Sequence, residues 1–458
     1  MKKWEYLSTF SQVHCALHDR QELGTSLCQP KFTQIVSLKF MKKPKGALIY
    51  FIVFIYLVSI TLLTNSVAKA QTNNFQQSKQ CSSKQTRIFG VTTEIAEVKT
   101  QEDVQNLDRL IFSLNKIREH RIPTVRIVFQ TENQAADYLT AVKRLHGVKA
   151  DGSDRIAYVM GLIVDSQFMY EFNDIDRHPG RDILRRTENF AEVLGDFVDI
   201  WEVGNEVNGE WVGWKGEEQN NGVEEHEQQT DPDKLTRMRI LIGTQVHQVY
   251  RTLKAHQKVI NNCAEIALNL YLKDNHSQGD ELRECYWEKC PGGCGRRYGM
   301  FEWIAENLKP KQNDLKFDFV FFSYYDEDCK DLEMNGRKLA KIFDDLIGEF
   351  TFDDGFKPKV GFGEVGPQCN CRKGDKACEG LNSDVRRAQS GCRRRQPDYV
   401  GKYYKDIHKS VKNNLTANKN LYVGGFFYWY FYQDAVTENG RVKDVLEKFI
   451  EAAKKRDW

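Results

Sequence analysis

The sequence predicts an α/β fold, a (β/α)8 TIM barrel with long, Cys-rich βα loops. Three observations predict it. From Arg87 onward, short β-branched and aromatic runs alternate with longer amphipathic segments. Eight such pairs can be counted, which is the alternation of βα units around a parallel sheet. Two of the apolar runs also end in a Glu beside glycine, at the end of a strand where a barrel carries its chemistry.

The pairs run in order. RIFGVTT from Arg87 is the first strand, followed by a helix over about Gln101–His120. TVRIVF from Thr124 precedes a helix near Asn133–Leu145, and RIAYVMGLIVD from Arg155 precedes Arg185–Phe197. The fourth strand, VDIWEVGNE from Val198, leads to the long helix Lys234–His256. AEIALNLYL from Ala264 is followed by a Cys-rich insertion and a helix near Phe301–Leu308. FDFVFFSYY from Phe317, KVGFGE from Lys359 and YVGGFFYWYF from Tyr422 complete the strands, with helices at Arg337–Phe350, Tyr399–Asn413 and Val442–Lys455. An open doubly wound sheet is the alternative, but no Gly-rich phosphate loop follows the first strand. Two long insertions, near 215–233 and 274–298, each follow a strand, so a barrel puts both at its catalytic rim.

Residues 87–458 thus form the barrel domain, and residues 71–86 are a polar linker. Ahead of them, Met41-Lys-Lys-Pro-Lys is a basic segment, Ala47–Leu63 is apolar, and Ser66-Val-Ala-Lys-Ala70 offers a small-residue cleavage site. In that order the three parts read as a signal peptide over 41–70, with residues 1–40 an extension of the gene model before the true start. If uncleaved, the 47–63 run is instead an anchor, at the short limit of a spanning helix. The expectation is a secreted or otherwise extracytoplasmic protein. Ten of the 12 cysteines follow this segment. Export favours disulfides over zinc for the clusters Cys285/Cys290/Cys294 and Cys369/Cys371/Cys378/Cys392, which lack paired CxxC knuckles.

Composition excludes several classes. With 66 basic and 64 acidic residues there is no polyanion-binding surface, so nucleic acid is not an expected partner. The run Arg393–Arg395 is a short solvated loop segment. Asp326, Glu327 and Asp328 lack the alternating ligand positions of a calcium loop. Neither H-E-x-x-H nor G-x-S-x-G occurs. No metal and no cofactor is expected.

The remaining chemistry is carboxylate chemistry. Trp201-Glu-Val-Gly-Asn-Glu206-Val-Asn-Gly209 closes the fourth strand, and Val360-Gly-Phe-Gly-Glu364-Val-Gly-Pro367 closes the seventh. A lone strand-end Glu is commonly salt-bridged or exposed, and an Asn-Glu dipeptide occurs by chance. Two such Glu, on strands four and seven, support one another. Glycoside hydrolysis requires such a pair: one carboxyl protonates the leaving oxygen and the other meets the anomeric carbon. Retaining enzymes hold the two about 5–5.5 Å apart. At that range like charge raises one pKa and leaves that group as the acid.

On these residues the chain resembles the clan A glycoside hydrolases, retaining (β/α)8 enzymes. WEVGNE is similar to their Y-E-(x)2-N-E pattern, with Val207 where a Pro often follows. The resemblance implies Glu206 as acid/base, Asn205 as the residue that binds the sugar 2-OH, and Glu364 as nucleophile. It further implies substrate-binding roles for Arg126 on strand two, for Tyr324 or Tyr325 on strand six, with Tyr325 preferred, and for Trp429 on strand eight as an aromatic platform. Each of these has a structural alternative: Arg126 as a buried ion-pair partner, the tyrosines as core and Trp429 as packing. Glu202 reads as a deeper structural charge, and Asp165 as either a substrate contact or a helix cap. The implied partner is a glycoside, oligosaccharide or polysaccharide. A transglycosylase with the same pair, and a non-catalytic carbohydrate-binding protein on a degenerate barrel, are the alternatives.

Overall fold

In the computed structural model, eight parallel strands close into a barrel in the order β1-β2-β3-β4-β5-β6-β7-β8. Described are residues 87–94, 96–147, 149, 153–169, 172, 182–209, 232–260, 264–272, 300–325, 336–366, 396–429, 431–436 and 443–455. The linker, the segment over 41–70, all the cysteines, both rim insertions and the Asp326–Asp328 and Arg393–Arg395 runs lie outside these residues.

The strands are β1 Ile88–Thr93, β2 Thr124–Val128, β3 Tyr158–Leu162, β4 Ile200–Glu202, β5 Glu265–Tyr271, β6 Phe319–Tyr324, β7 Lys359–Val365 and β8 Tyr422–Tyr428. The crossover helices are α1 Gln101–Arg118, α2 Ala135–His146, α3 Ile183–Leu194, α4 Pro232–Ile260, α5 Met300–Trp303, α6 Gly336–Glu349, α7 Gln396–Gly401 and α8 Lys443–Ala453. Two of them run on through π-helical turns, α5 into Ile304–Leu308 and α7 into Lys402–Ile407. Helix starts follow local chemistry. Thr100 and Asp103 form a reciprocal capping box on α1, and the Asp182 carboxylate caps α3.

Two apolar layers result from the period-two alternation of side chains. Ile88, Met160, Ile200, Ala267, Phe319, Phe321, Val423 and Phe427 fill the barrel. The opposite faces of the strands, with Trp201, Phe322, Phe362, Phe426 and Tyr428 among them, pack against the helices. The N-terminal ends of the strands are tied by carboxylates. Asp199 accepts from the Val159 backbone N–H at 2.8 Å and from Arg155, and Asp318 accepts from the Ile266 N–H at 2.9 Å. That rigid base leaves the C-terminal ends to carry polar residues.

The strand count and order agree with the sequence expectation. Regular pairing is shorter than the apolar runs suggest, most of all in β4, where only three residues pair. Beyond Glu202 the chain leaves the ladder, and Asn205 forms an isolated parallel bridge with Asp165. One register shift matters for function. Phe322 pairs with Phe362, but Tyr324 pairs with Val365, so β7 carries one extra residue. Such a bulge re-aims the side chains beyond it.

Candidate active site

The C-terminal ends of β2, β4, β5, β6 and β7 bring together a group of buried polar side chains. Strict alternation after the outward Phe362 would turn Gly363 inward and Glu364 outward. The bulge changes this: Glu364 pairs with Phe427, a residue of the barrel interior, and its carboxylate meets Arg126 inside. Gly363 also faces in. A Cβ built there would lie 2.1 Å from Asn269 Oδ1, so only glycine leaves room for the Asn269 amide.

Arg126 is the one fully buried cation of the group. Its Nε and Nη2 donate to Glu202 Oε2 and Oε1 at 2.5 and 3.0 Å, a fork-to-fork pair. Its Nη1 donates to Glu364 Oε1 at 2.6 Å. The second oxygen of Glu364 accepts from the Tyr325 hydroxyl at 2.7 Å. Both oxygens of Glu364 are therefore held by donors, an arrangement suited to an anion. The half-buried Trp429 ring lies over the Arg126 guanidinium, with its centroid 6.0 Å from Cζ.

Glu206 has the opposite surroundings. It is 6% exposed, and its Oε1 is buried without a hydrogen-bond partner. Its backbone φ is 48°, in the left-handed region that non-glycine residues rarely occupy. Strain of this kind is sustained only when neighbouring structure imposes it, and it collects at functional sites. Here the bridge from Asn205 to Asp165 fixes the residue before Glu206. On the other side, the chain is held by a Val207 N–H bond to the Asn269 carbonyl and by a tight turn from Glu206 to Gly209.

These surroundings set the proton affinities. Burial raises Glu206 well above the usual carboxylate range, and the neighbouring charge of Glu364 adds to the effect. Glu364 is pushed up to about 7, chiefly by burial, against which Arg126 and the Tyr325 hydroxyl act. Both carboxyl groups are thus held above the usual range, and only Glu364 has donors that oppose the rise on both of its side-chain oxygens.

The remaining residues divide. Asn205 is 3% exposed. Its Oδ1 accepts from Asn269 Nδ2 at 2.6 Å, and its Nδ2 reaches toward Asp165 Oδ2 at 3.4 Å. Asp165 thus stands at the rim beside Asn205, at the start of the short helix Ser166–Met169. Of the two tyrosines, Tyr325 reaches Glu364, whereas Tyr324 packs between strand and helix layers against Phe362 and Tyr403. Glu202 is buried under the site on Arg126.

Two participants escape sequence reasoning, Asn269 on β5 and Ser323 on β6. Both are polar residues at inward positions of apolar strands, and that parity is the signal that could have found them. Among the described residues, no cluster of three His, Cys, Asp or Glu is placed to hold a metal, and no helix is long and apolar enough to cross a membrane.

The chain matches no protein-family model and no curated protein. Among solved structures it is similar to virulence factor SghA in complex with its substrate analog salicin, with 13% identity, TM-score 0.45, and 80% of this chain covering 95% of that one. It is also similar to the GH1 beta-glucosidase from Exiguobacterium antarcticum B7, at 13% identity and TM-score 0.43, with 75% of this chain covering 88% of that one. A third is the GH10 xylanase from Bispora sp. MEY-1, at 13% identity and TM-score 0.39, with 80% of this chain covering 96% of that one. At such scores the likeness carries no argument about activity, and the barrel rests on its own strand order.

Proposed function

We propose that the chain is a retaining glycoside hydrolase of the clan A type, with Glu206 as acid/base and Glu364 as nucleophile. The observation that carries this reading is the contrast between two buried carboxyl groups at the ends of β4 and β7. Glu364 has a donor on each oxygen, and Glu206 has a buried oxygen with no partner. An anion and a proton donor in one barrel mouth are what the two-step displacement uses.

In the first step a Glu364 oxygen attacks the anomeric carbon as the bond to the leaving oxygen breaks. Glu206 gives its proton to that oxygen. The result is a glycosyl ester on Glu364 and an ionised Glu206. In the second step Glu206 takes a proton from water, whose oxygen attacks the anomeric carbon and releases the Glu364 carboxylate. The pair is then as it began. Arg126 and Tyr325 draw charge from Glu364 in the ground state and release it as the ester forms. Asn205, with Oδ1 held by Asn269, has Nδ2 to offer to a sugar hydroxyl. Export is part of the same proposal and is supported by the basic, apolar and small-residue order over 41–70.

The test is a panel of aryl glycosides and polysaccharides on the purified chain. Glu364→Gln is expected to abolish turnover. Glu206→Gln is expected to reduce it at least about 10²-fold on substrates with poor leaving groups, the usual contribution of a general acid. A 2-fluoro-glycoside should label Glu364. Wild-type rates in either variant, or labelling at another residue, would overturn the assignment.

A further inference from the structure

Asn269 on β5 joins the two halves of the site. Its backbone pins both sides of the Asn205–Glu206 pair. Its N–H donates to the Gly204 carbonyl at 3.3 Å, and its carbonyl accepts from the Val207 N–H at 3.4 Å. Its buried side-chain amide adds two more bonds. Nδ2 donates to Asn205 Oδ1 at 2.6 Å and to Ser323 Oγ at 3.0 Å, and the same Ser323 oxygen accepts from the Glu364 backbone N–H at 3.1 Å. Gly363, lacking a side chain, leaves the amide its place. The polarity of this chain of bonds is fixed from its far end. A carboxylate only accepts, so the Asn205 edge that faces Asp165 Oδ2 at 3.4 Å is the Nδ2 edge. Asn205 Oδ1 then turns toward β5, where it needs a donor, and the Asn269 amide supplies one.

We propose that Asn269 is a positioning residue that presents Asn205 to the substrate as a hydrogen-bond donor. By occupying Oδ1 it leaves the Asn205 NH2 group beside Asp165 at the rim, where a sugar hydroxyl oxygen can accept from it. The inference rests on the roles proposed above for the two glutamates and for Asn205. Without the Asn269 donor, nothing on β5 distinguishes the two edges of the Asn205 amide. The amide can then turn over and offer the sugar an oxygen in place of an N–H. A bond from enzyme to sugar hydroxyl that strengthens in the transition state is lost mainly from kcat, with little change in KM.

The test is a double-variant cycle, read as kcat and KM on the aryl glycoside that the wild-type chain hydrolyses fastest. Asn269→Leu keeps the branched shape and removes the donor. It is expected to lower kcat roughly 10- to 100-fold, with KM within about threefold of wild type. Asn205→Ala leaves no amide to orient. Adding Asn269→Leu to that variant should therefore cost no more than about twofold further, the tolerance within which independent sites add. A merely structural asparagine lowers the rate whether or not Asn205 is present. Losses that multiply, or wild-type kcat in Asn269→Leu, would therefore overturn the inference. If the leucine chain folds poorly by near-ultraviolet circular dichroism, Asn269→Ala takes its place in the cycle, since the bonds to Gly204 and Val207 are made by backbone. Glu206→Gln separates the two claims. If that variant keeps wild-type activity, or if the wild-type chain hydrolyses no glycoside, the glutamate roles fail and the inference with them. If it is slowed while the two asparagine losses multiply, the roles stand and the inference alone falls.

Discussion

Arg126 and Glu364 are joined by a 2.6 Å bond from Nη1 to Oε1, and the other edge of the same guanidinium is clasped by Glu202. One cation thus serves two carboxylates, all of them sealed from water. Burying charges is costly, and removing one member of a buried pair leaves the other uncompensated, at about 3–5 kcal/mol. Arg126→Ala is therefore expected to lower the urea midpoint by an amount equivalent to about 3–5 kcal/mol and to remove activity. Adding Glu202→Gln to that variant removes the stranded charge beneath the site. It should restore part of the stability and none of the turnover. A double variant no more stable than Arg126→Ala would mean that Glu202 does not need the cation.

Tyr325 supplies the other donor to Glu364, at 2.7 Å. The carboxyl is already pushed up to about 7 by burial, and the tyrosine acts against that rise. Tyr325→Phe therefore moves Glu364 further up. Because the nucleophile must be ionised, the acid limb of kcat/KM should move to higher pH. The loss relative to wild type should be larger at pH 6 than at pH 8, approaching about tenfold for every pH unit by which the limb moves. A rate loss equal at all pH values would indicate that the hydroxyl touches substrate instead. The same substitution at Tyr324 should leave the profile in place, since that ring packs between the barrel and Tyr403.

The barrel was legible because its signal is repeated eight times and each element is amphipathic or apolar throughout. The strand ends were legible as far as Glu206 and Glu364, since a charged residue closing an apolar run stands out. What could not be read was direction. Counting by twos from Phe362 sends Glu364 out of the barrel, and only the extra residue in β7 brings it in. No local residue pattern announces that bulge; the glycine beside it, Gly363, leaves the room that the Asn269 amide takes up. The left-handed φ of Glu206 is equally hidden, as it is imposed by the Asp165–Asn205 bridge rather than by glycine. Asn269 and Ser323 sit within runs of apolar residues, so their sequence signal is a single polar letter at the right parity.

Glu206 also makes a prediction about stability. Its folded proton affinity is raised above the ordinary value of 4.5 by burial and by Glu364. Between those two limits the native state binds more protons than the unfolded chain, so stability falls as pH rises through that interval. The effect is absent below 4.5, where both states are protonated. Glu206→Gln keeps the shape and removes the titration. It is expected to melt about 2–4 °C above wild type at pH 7–8, the rise that roughly 1 kcal/mol produces in a domain of a few hundred residues. The gain should shrink toward zero as pH approaches 4.5, since a neutral carboxyl and a neutral amide then face the same cavity. Melting curves of both proteins across that range decide the point. A difference independent of pH would mean that the Glu206 carboxyl is not the group whose buried charge the fold opposes.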